Sequence, residues 1–395
     1  MVEIKLKKGK EKAVYQRHPW VFSGALDKVK GKPENGDVVR LVDASGDFLA
    51  YGYYNDQSRV AVRLIEWNEE TTIDADWYEQ KIKTAIAGRA HLLADKETTA
   101  SRLVFSEADF LPGLIVDRYA DFLSVQILSS GIEKAKDIII DVLVKLLQPK
   151  GIFDRSDATA RTHEGITAEN GLLWGETPEE FIEVKENGIK YHINIAEGQK
   201  SGFYCDQRDN RSILASYTKG KSVLDCFSYS GGFSLNAFAQ GAAEVTSVDS
   251  SALAIETLKQ NIDLNKFDTN KHIAIQSDVN KQLRQFNDEG KKFDVVVLDP
   301  PKYAPSRSAL DRAARAYKDL NRRGLLLLES GGLLATFSCS GAVDIETFKQ
   351  IIAWAALDAG KEVQIIKQFC QPEDHPVRLS FPEGEYLKGL LLRVV

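Results

Sequence analysis

Short runs of alternating apolar and polar positions fill residues 1 to about 70 of this chain. They predict strands at VVRLVDA, FLAYGYY and VAVRLIEW. Asn35-Gly36 and Ser45-Gly46 supply turn signals within the same stretch. Short strands so close together along the chain predict a small β-barrel over residues 1–70.

A mixed pattern follows and predicts an α+β middle domain over residues 75–185. The runs DADWYEQKIKTAIAGRAHLLA and IEKAKDIIIDVLVKLL have helical periodicity, whereas RLVFSEAD and GLIVDRYADFLSVQILS read as strands. Towards its end, FIEVKENGIKYHINI predicts a hairpin with Asn187-Gly188 as the turn.

Strands and helices alternate over residues 190–395, which predicts a doubly wound α/β sheet of the Rossmann-like type. The strand candidates are SVLDCF, EVTSVD, HIAIQSD, FDVVVLD, GLLATFS, EVQIIKQF and KGLLLRVV. Continuous apolar runs such as VVVL are typical of parallel strands that are buried on both faces. Ligands of such sheets bind beyond the carboxyl ends of the strands, where we therefore look for the chemistry.

Composition and charge narrow the class of protein. The 395 residues are 43% hydrophobic and 27% charged, as in soluble globular proteins, and no apolar run approaches the length of a membrane span. The start MVEIKLKKGKEK lacks the apolar run of a secretory signal, so we expect a cytoplasmic protein with no membrane partner. The net charge is −6, yet residues 1–40 hold ten Lys and Arg against five Asp and Glu. This basic segment suits a small footprint on structured RNA, or it is only a solvated face.

The four cysteines are irregularly spaced, with no Cys-x-x-Cys pair and no neighbouring histidine cluster. We therefore predict neither a metal site nor a disulfide framework. Cys205, Cys226 and Cys370 are interpreted as structural. Cys339 differs because it follows a predicted strand, in a serine-rich turn beside Gly341.

Acids at the ends of three successive strand candidates predict an adenosyl cofactor site. In DCFSYSGGFS a strand ends at Asp225 and a turn of small residues opens a helix, without the G-x-G-x-x-G spacing of pyrophosphate binders. Asp249 is placed to accept hydrogen bonds from ribose hydroxyls, and Asp278 to meet an adenine amino group. Each acid alone would more often be a helix N-cap or a solvated strand end. The predicted cofactor-binding residues here are Asp225, Phe227, Gly231, Gly232, Asp249, Ser250, Asp278 and Asp299.

Two further motifs should emerge at the same edge of the sheet: Asp299-Pro300-Pro301-Lys302 after FDVVVL, and Phe337-Ser338-Cys339-Ser340 after GGLLAT. A thiolate that adds to carbon 6 of a pyrimidine turns carbon 5 into a nucleophile towards a methyl sulfonium. We therefore predict Cys339 as the nucleophile and Asp299 as the acid that hydrogen-bonds the ring nitrogen side of a flipped base. The predicted substrate-binding residues are Pro300, Pro301, Lys302 and Tyr303, with Tyr303 stacking on the base.

Over essentially its whole length the chain resembles the bacterial large-subunit ribosomal RNA cytosine-5 methyltransferases of the RlmI type. The motifs that carry the resemblance are RHPWVFSGAL, FLPGLIVDRY, FDRSD, KSGFYCDQRDNR, CFSYSGGF, LDPPKY, TFSCSG, DHPV and PEGEYLKG. The resemblance implies a PUA-type barrel, a class I methyltransferase domain that uses S-adenosyl-L-methionine, and 23S ribosomal RNA as the substrate. It also implies Cys339 as the nucleophile, positions for Phe203, Gln207 and Arg208 near the cofactor pocket, and a homodimer.

One departure leaves alternatives open. Many RNA cytosine-5 methyltransferases carry a second cysteine in the motif that here reads DPPK, so the group that takes the carbon-5 proton is not identified. Related enzymes with an acidic or Asn-Pro-Pro motif methylate nitrogens, which makes an RNA guanine or adenine N-methyltransferase the main alternative. A non-catalytic ribosome-assembly factor is another, and methylation of a small molecule would leave the basic first segment unexplained.

Overall fold

A computed structural model of the chain describes residues 1–167, 170–196, 202–304 and 307–395. These residues form two compact units. The first comprises Met1–Val184, Ile193–Cys205 and Glu373–Gly384. The second comprises Lys185–His192, Asp206–Pro372 and Glu385–Val395. Among the described residues, no helix is long and apolar enough to cross a membrane.

The first unit begins with a six-stranded sheet in the order β2-β6-β5-β4-β1-β3. Its elements are β1 (Glu3–Leu6), α1 (Lys12–Tyr15), β2 (Trp20–Phe22), β3 (Leu26–Lys30), β4 (Val38–Val42), β5 (Phe48–Tyr54) and β6 (Val60–Glu66). The three strands predicted from alternation are confirmed as β4, β5 and β6. Alternate residues such as Ile4, Leu6, Leu41 and Leu64 point into one core and are fully buried.

A second sheet of the first unit has the order β11-β10-β9-β8-β7. Its elements are α2 (Ala75–Ala87), α3 (Ala90–Ala94), β7 (Ala100–Phe105), β8 (Leu114–Tyr119), β9 (Phe122–Ile127), α4 (Ser130–Lys134), α5 (Lys136–Leu147), β10 (Gly151–Asp154), α6 (Ala158–His163) and β11 (Gly171–Gly175). Both predicted helices exist, but each is broken into two, after Gly88 and at Ala135. Tyr53 of β5 and Ile139 of α5 belong to one buried cluster, so the two sheets share a core.

The predicted hairpin is confirmed by β12 (Ile182–Glu186) and β13 (Ile189–Ile193), which form a two-stranded sheet. Its two turn residues have positive φ, 51° at Asn187 and 81° at Gly188. Asn-Gly is the residue pair that tolerates this conformation best, which is why the sequence signal was reliable here.

The second unit holds a seven-stranded sheet in the order β16-β15-β14-β17-β18-β20-β19. Its elements are α7 (Arg208–Ala215), β14 (Ser222–Cys226), α8 (Gly232–Ala239), β15 (Glu244–Asp249), α9 (Ala252–Leu264), β16 (His272–Gln276), α10 (Val279–Asp288), β17 (Phe293–Leu298), α11 (Leu310–Leu326), β18 (Leu328–Ser338), α12 (Ile345–Asp358), β19 (Val363–Phe369) and β20 (Lys388–Val394). All seven predicted strands of residues 190–395 are confirmed. The first five strands in sheet order are parallel to one another, and β20 runs antiparallel to both of its neighbours.

The order in which the chain adds strands to this sheet reverses between β14 and β17, although the two strands are parallel. From β14 the chain proceeds outward through β15 to β16, and then returns to β17 and continues through β18 on the other side. The connections on the two sides of such a point diverge, so a crevice opens beyond the carboxyl ends of β14 and β17. Of the residues predicted to carry the chemistry, Asp225 lies near the end of β14 and Asp299 follows β17, whereas Cys339 follows the next strand, β18.

Candidate active site

Asp225, the last residue but one of β14, is fully buried. Its Oδ2 accepts hydrogen bonds from the backbone N and the Oγ of Ser234, at 3.0 and 2.6 Å. Its Oδ1 is buried with no hydrogen-bond partner among the described residues. Burial raises the pKa of the Asp225 carboxyl to about 7. A buried acceptor without a donor costs free energy, so this atom suits a ligand that brings an N–H or O–H group.

The turn after β14 holds its backbone in a rarely adopted conformation. Three of its five residues have positive φ: 62° at Phe227, 47° at Tyr229 and 91° at Gly231. A Cβ on Gly231 would lie 2.5 Å from Cδ1 of Leu235, so glycine is required on two grounds. The Ser228 Oγ in the same turn is buried without a partner among the described residues. Strain of this kind concentrates at ligand-binding turns, which supports the sequence prediction of a cofactor loop.

Gly232 begins α8 and is explained by packing against another helix. A Cβ there would lie 2.8 Å from Cδ of Arg211 on α7. Arg211 in turn forms a buried, bidentate pair with Glu186, at 2.7 and 2.5 Å. The glycine therefore lets the first turn of α8 approach α7, which begins at the predicted site residue Arg208.

Asp249 ends β15 and is nearly buried. Its Oδ2 accepts a hydrogen bond from the backbone N of Tyr229 at 3.0 Å, and its Oδ1 accepts one from the backbone N of Ser251 at 2.8 Å. Each oxygen keeps a further lone pair, so the carboxylate still has capacity for two ligand hydroxyls. The neighbouring Ser250 is exposed.

Asp278 is an exposed residue that caps α10, with Oδ1 accepting a hydrogen bond from the backbone N of Lys281 at 2.9 Å. The structure thus shows the N-cap role that an isolated acid most often has. Its contact with an adenine stays a prediction.

Asp299 directly follows β17 and receives a hydrogen bond from a buried amide. Gln207 Nε2 donates to Asp299 Oδ2 at 3.0 Å, and Gln207 Oε1 accepts from Nδ2 of Asn210 on α7 at 2.6 Å. Asn210 therefore fixes which end of the Gln207 amide faces the carboxylate. The signal for this relay was weak in the sequence, because Asn210 ends no strand and belongs to no turn.

Arg208 and Phe203, also predicted near the cofactor, have no contact with Asp225, Asp249 or Asp299 among the hydrogen bonds described for them. Arg208 is buried and its Nε donates to Asp209 at 3.1 Å. Phe203 lies in the first unit, buried, with its backbone N 3.3 Å from Oη of Tyr119. The motif that contains them begins at Lys200 and Ser201, which lie outside the described residues.

The Asp-Pro-Pro-Lys turn and the cysteine turn are bonded to each other. The backbone N of Ala304 donates to the Ser340 Oγ at 3.1 Å, and the rings of Tyr303 and Tyr317 lie 4.8 Å apart. The structure thus brings together the two motifs that the sequence placed at one edge. Pro300 is buried, whereas Pro301 and Lys302 are exposed. One face of Tyr303 contacts Tyr317, and burial raises the Tyr303 pKa to about 12.

Cys339 follows β18 and is half-buried, between two serines that are fully buried. Ser338 Oγ donates to Tyr317 Oη at 2.9 Å, and the same Tyr317 oxygen lies 3.1 Å from Ser340 Oγ. Lys388 Nζ donates to the backbone O of Ser340 at 3.0 Å. The two serines that flank the thiol are therefore hydrogen-bonded to a tyrosine of α11, and the second of them also to a lysine of β20. Sequence reasoning assigned a role to neither: Tyr317 belongs to no motif, and Lys388 belongs to the PEGEYLKG motif, which was used only to support the resemblance.

His375, a residue after the sixth strand candidate, belongs to the first unit. Its Nδ1 lies 3.2 Å from a carboxylate oxygen of Asp374, and its ring packs against Phe105 with centroids 5.3 Å apart. Buried beside an acid in this way, it is a structural residue of that unit.

Comparison with protein families identifies two regions. Residues 4–67 match the PUA-like domain family, and residues 210–339 match a family described as conserved hypothetical protein 95. Together with the doubly wound sheet, the matches define a Rossmann-like protein that carries a PUA-like domain over residues 4–67.

Curated relatives are similar over the full length. The ribosomal RNA large subunit methyltransferase I of Shewanella frigidimarina is 46% identical over 394 residues, which cover 100% of this chain and 99% of the relative. That of Aliivibrio fischeri (strain MJ11) is 44% identical over 394 residues, covering 100% of both chains. The chain belongs to the ribosomal RNA large subunit methyltransferase I family, and the resemblance inferred from its motifs is confirmed.

Solved structures support the same fold. A methyltransferase crystallised with SAH superposes with a TM-score of 0.88 at 22% identity, covering 100% of both chains. A SAM-dependent methyltransferase from Streptococcus mutans has a TM-score of 0.86, with the same identity and coverage. At this level of identity the similarity confirms the fold class.

Proposed function

We propose that this chain methylates carbon 5 of a cytosine in large-subunit (23S) ribosomal RNA, with Cys339 as a covalent nucleophile and S-adenosyl-L-methionine as the methyl donor. The observation that carries the proposal is the junction of the two motifs. Ala304 and Ser340 are hydrogen-bonded at 3.1 Å, so the turn after Asp299 and the turn that holds Cys339 form one surface. A thiol and a carboxylate on two hydrogen-bonded turns, which follow the neighbouring parallel strands β18 and β17, suit attack on a pyrimidine ring.

The cofactor side of the crevice fits S-adenosyl-L-methionine. Asp225 Oδ1 and Ser228 Oγ are buried polar atoms that lack partners among the described residues, and the donor groups of an amino-acid moiety would satisfy them. Asp249 is already oriented by two backbone N–H groups, and its remaining lone pairs are proposed to accept from ribose hydroxyls. When bound, the cofactor supplies a methyl group from its sulfonium.

The chain's own residues prepare the base for that methyl group. The Cys339 thiolate adds to carbon 6, forming a C–S bond and moving electron density onto carbon 5 and the ring nitrogen side. Asp299, oriented by Gln207, hydrogen-bonds that side of the ring and stabilises the adduct. After carbon 5 has gained its methyl group, its proton passes to a base and the C–S bond breaks, which returns the thiolate. Tyr303, Pro300, Pro301 and Lys302 line the turn against which the flipped base is expected to lie.

The first unit is proposed to hold the RNA. The segment between β1 and β2 of the PUA-like region holds Arg17 and four lysines, all of them exposed. The lysines are Lys7, Lys8, Lys10 and Lys12. Cations in this position can neutralise RNA phosphates without specifying the sequence. Ribosomal RNA as substrate also implies the cytoplasm as the location. The homodimer implied by the resemblance stays a prediction.

The test uses ribosomal RNA labelled with tritium at carbon 5 of cytidine. Incubation with S-adenosyl-L-methionine should release tritium to water in a one-to-one ratio with methyl groups transferred to the RNA. Methyl transfer without tritium release would contradict carbon-5 chemistry and favour methylation of a nitrogen. No transfer to any large-subunit RNA, whether naked or in assembling particles, would favour the non-catalytic assembly factor.

A further inference from the structure

Lys388 is the first residue of β20 and is almost completely buried, at 5% exposure. Buried lysines are rare, because an ammonium group loses its hydration, and they persist where a partner or a function compensates. In the sheet register Lys388 lies opposite Ser338, one residue before Cys339. Its Nζ donates to the backbone O of Ser340, one residue after Cys339, at 3.0 Å.

The side chains of the two serines beside Cys339 are already engaged in hydrogen bonds, so the thiol is the group of this turn on which the positive charge can act. Ser338 and Ser340 already exchange hydrogen bonds with Tyr317, and Ser340 also accepts from the backbone of Ala304. The ammonium therefore approaches a turn whose two serine side chains are engaged. The Ser340 carbonyl to which it donates is neutral, and a neutral acceptor compensates a buried charge only in part.

We propose that Lys388 is a positioning residue that favours the thiolate form of Cys339 and fixes the direction of the sulfur. The ammonium stabilises a negative charge in a half-buried site, and its bond to Ser340 holds the turn in place. This proposal rests on the proposed role of Cys339 as the nucleophile, and it names the group that prepares that nucleophile.

Several charged groups besides Cys339 act on Lys388. Burial lowers the pKa of Lys388, while Cys339, Glu385 and Asp344 act in the opposite direction and Lys302 acts with burial. Tyr317, which faces the turn from α11, has its pKa raised by burial and stays neutral at physiological pH. Lys388 is thus the buried cation that acts on the thiol from the β20 side, whereas Lys302 is exposed.

The test measures the thiolate directly, without RNA or cofactor, so it is independent of whether methyl transfer occurs. In a Cys370→Ser background, which removes the exposed cysteine, the rate of alkylation of Cys339 by iodoacetamide is followed against pH and mapped by peptide mass. The midpoint in the parent protein should lie below the ordinary cysteine value of about 8.5. Lys388→Gln should raise the midpoint by about one unit and slow alkylation about tenfold at pH 6.5.

Two further variants separate charge from structure. Lys388→Arg keeps the positive charge and should leave the midpoint nearly unchanged. Lys361 is a matched control, since its Nζ donates to a backbone carbonyl at the opposite end of β18, that of Leu328, also at 3.0 Å. Lys361→Gln should leave the midpoint unchanged. Equal midpoints for the parent and Lys388→Gln would overturn the proposal. A midpoint of the parent protein at or above the ordinary cysteine value would overturn it as well. This second outcome is measured on the parent alone, so it does not depend on whether a variant folds.

Discussion

The two sides of the crevice in the second unit are built by opposite means. On the cofactor side, formed by Asp225, the turn 227–231 and Asp249, polar atoms are buried without partners among the described residues and the backbone is strained. The cysteine side is formed by Asp299, Ser338 to Ser340, Tyr317 and Lys388, whose polar groups have hydrogen-bond partners. Ser338 and Ser340 are bonded to Tyr317, Lys388 to the backbone of Ser340, and Asp299 to Gln207.

The difference follows from what each side has to do. Unpaired buried atoms lower the stability of the free protein and are satisfied when a ligand brings complementary donors, so they favour binding. A nucleophile, in contrast, has to be held in one direction before the substrate arrives, which a saturated hydrogen-bond network achieves. The cofactor side is thus organised for binding, and the cysteine side for a fixed geometry.

The largest effect should come from the cysteine side. Cys339→Ala should reduce methyl transfer at least about 1,000-fold, because no other side chain can form the covalent adduct. Cofactor affinity, measured by calorimetry, should change less than about threefold, since the unpaired atoms lie on the other side. Cys370→Ser, at an exposed cysteine, should retain full activity. Substantial turnover by Cys339→Ala would remove the covalent mechanism.

On the cofactor side, Asp225 should make the free energy of unfolding depend on pH. The folded-state pKa of Asp225, about 7, lies above its ordinary value of 3.8. The neutral form is therefore favoured by folding: its stabilising contribution is complete below about pH 4 and is lost as the pH rises through about 7. Relative to Asp225→Asn, the free energy of unfolding of the parent should fall by up to about 4 kcal/mol from pH 4 to pH 8.

Urea unfolding without cofactor measures this dependence. Asp263→Asn, at an exposed acid on α9, is the control and should unfold in parallel with the parent at every pH. If the free energies of unfolding of Asp225→Asn and the parent depend on pH in the same way, folding does not raise the pKa of the Asp225 carboxyl. S-adenosyl-L-methionine should bind Asp225→Asn about 10 to 100 times more weakly, as expected for loss of a charged hydrogen bond.

Gln207 directly precedes α7 and donates a hydrogen bond to Asp299 on the cysteine side. Gln207→Met keeps the volume but removes the donor to Asp299, and should lower kcat/KM about 10- to 100-fold. Alkylation of Cys339 should stay as in the parent, because the turn that holds the thiol has its own bonds. Gln240→Met, at an exposed glutamine after α8, should be neutral in both assays. A change in thiol reactivity with Gln207→Met would show that Asp299 and the thiol are not held by separate hydrogen bonds.

The smallest effects should come from the first unit. Changing the four exposed lysines Lys7, Lys8, Lys10 and Lys12 to Gln should weaken RNA binding by a factor of a few per lysine. It should also reduce the dependence of affinity on salt, by roughly 0.7–0.9 in log–log slope for each phosphate that is no longer neutralised. Changing Lys219 and Lys221, exposed lysines of the second unit, should leave that slope as it is. If the salt dependence of RNA affinity is unchanged in the variant with all four substitutions, these lysines do not contact the RNA phosphates.

Structural features that are set by residues close together in the sequence could be predicted from it. The strands β14, β15, β17, β18 and β20 were predictable because burial on both faces makes each one a local apolar run. Asp225, Asp299 and Cys339 were found because each lies at the end of such a run. The hairpin at Asn187-Gly188 was encoded in two residues.

Features that depend on packing between distant segments were not predictable. Lys388 and Ser338 become neighbours only because β20 inserts antiparallel beside β18, and Tyr317 reaches the cysteine turn from the middle of α11. A single sequence states neither the strand order nor the rotation of a helix. Asp278 shows the converse, since its position after a strand is compatible with a cofactor contact and equally with the N-cap that the structure shows.

The most direct measurement of the central claim is covalent trapping. Large-subunit ribosomal RNA transcribed with 5-fluorocytidine is incubated with the protein and S-adenosyl-L-methionine, and a denaturant-resistant adduct is isolated and mapped. Fluorine cannot leave as a proton does, so a cysteine that has attacked carbon 6 stays bound to the base. We predict an adduct on the peptide that contains Cys339, absent in Cys339→Ala and unaffected by Cys370→Ser. Methyl transfer to unmodified RNA without any adduct on the fluorinated RNA would contradict this account.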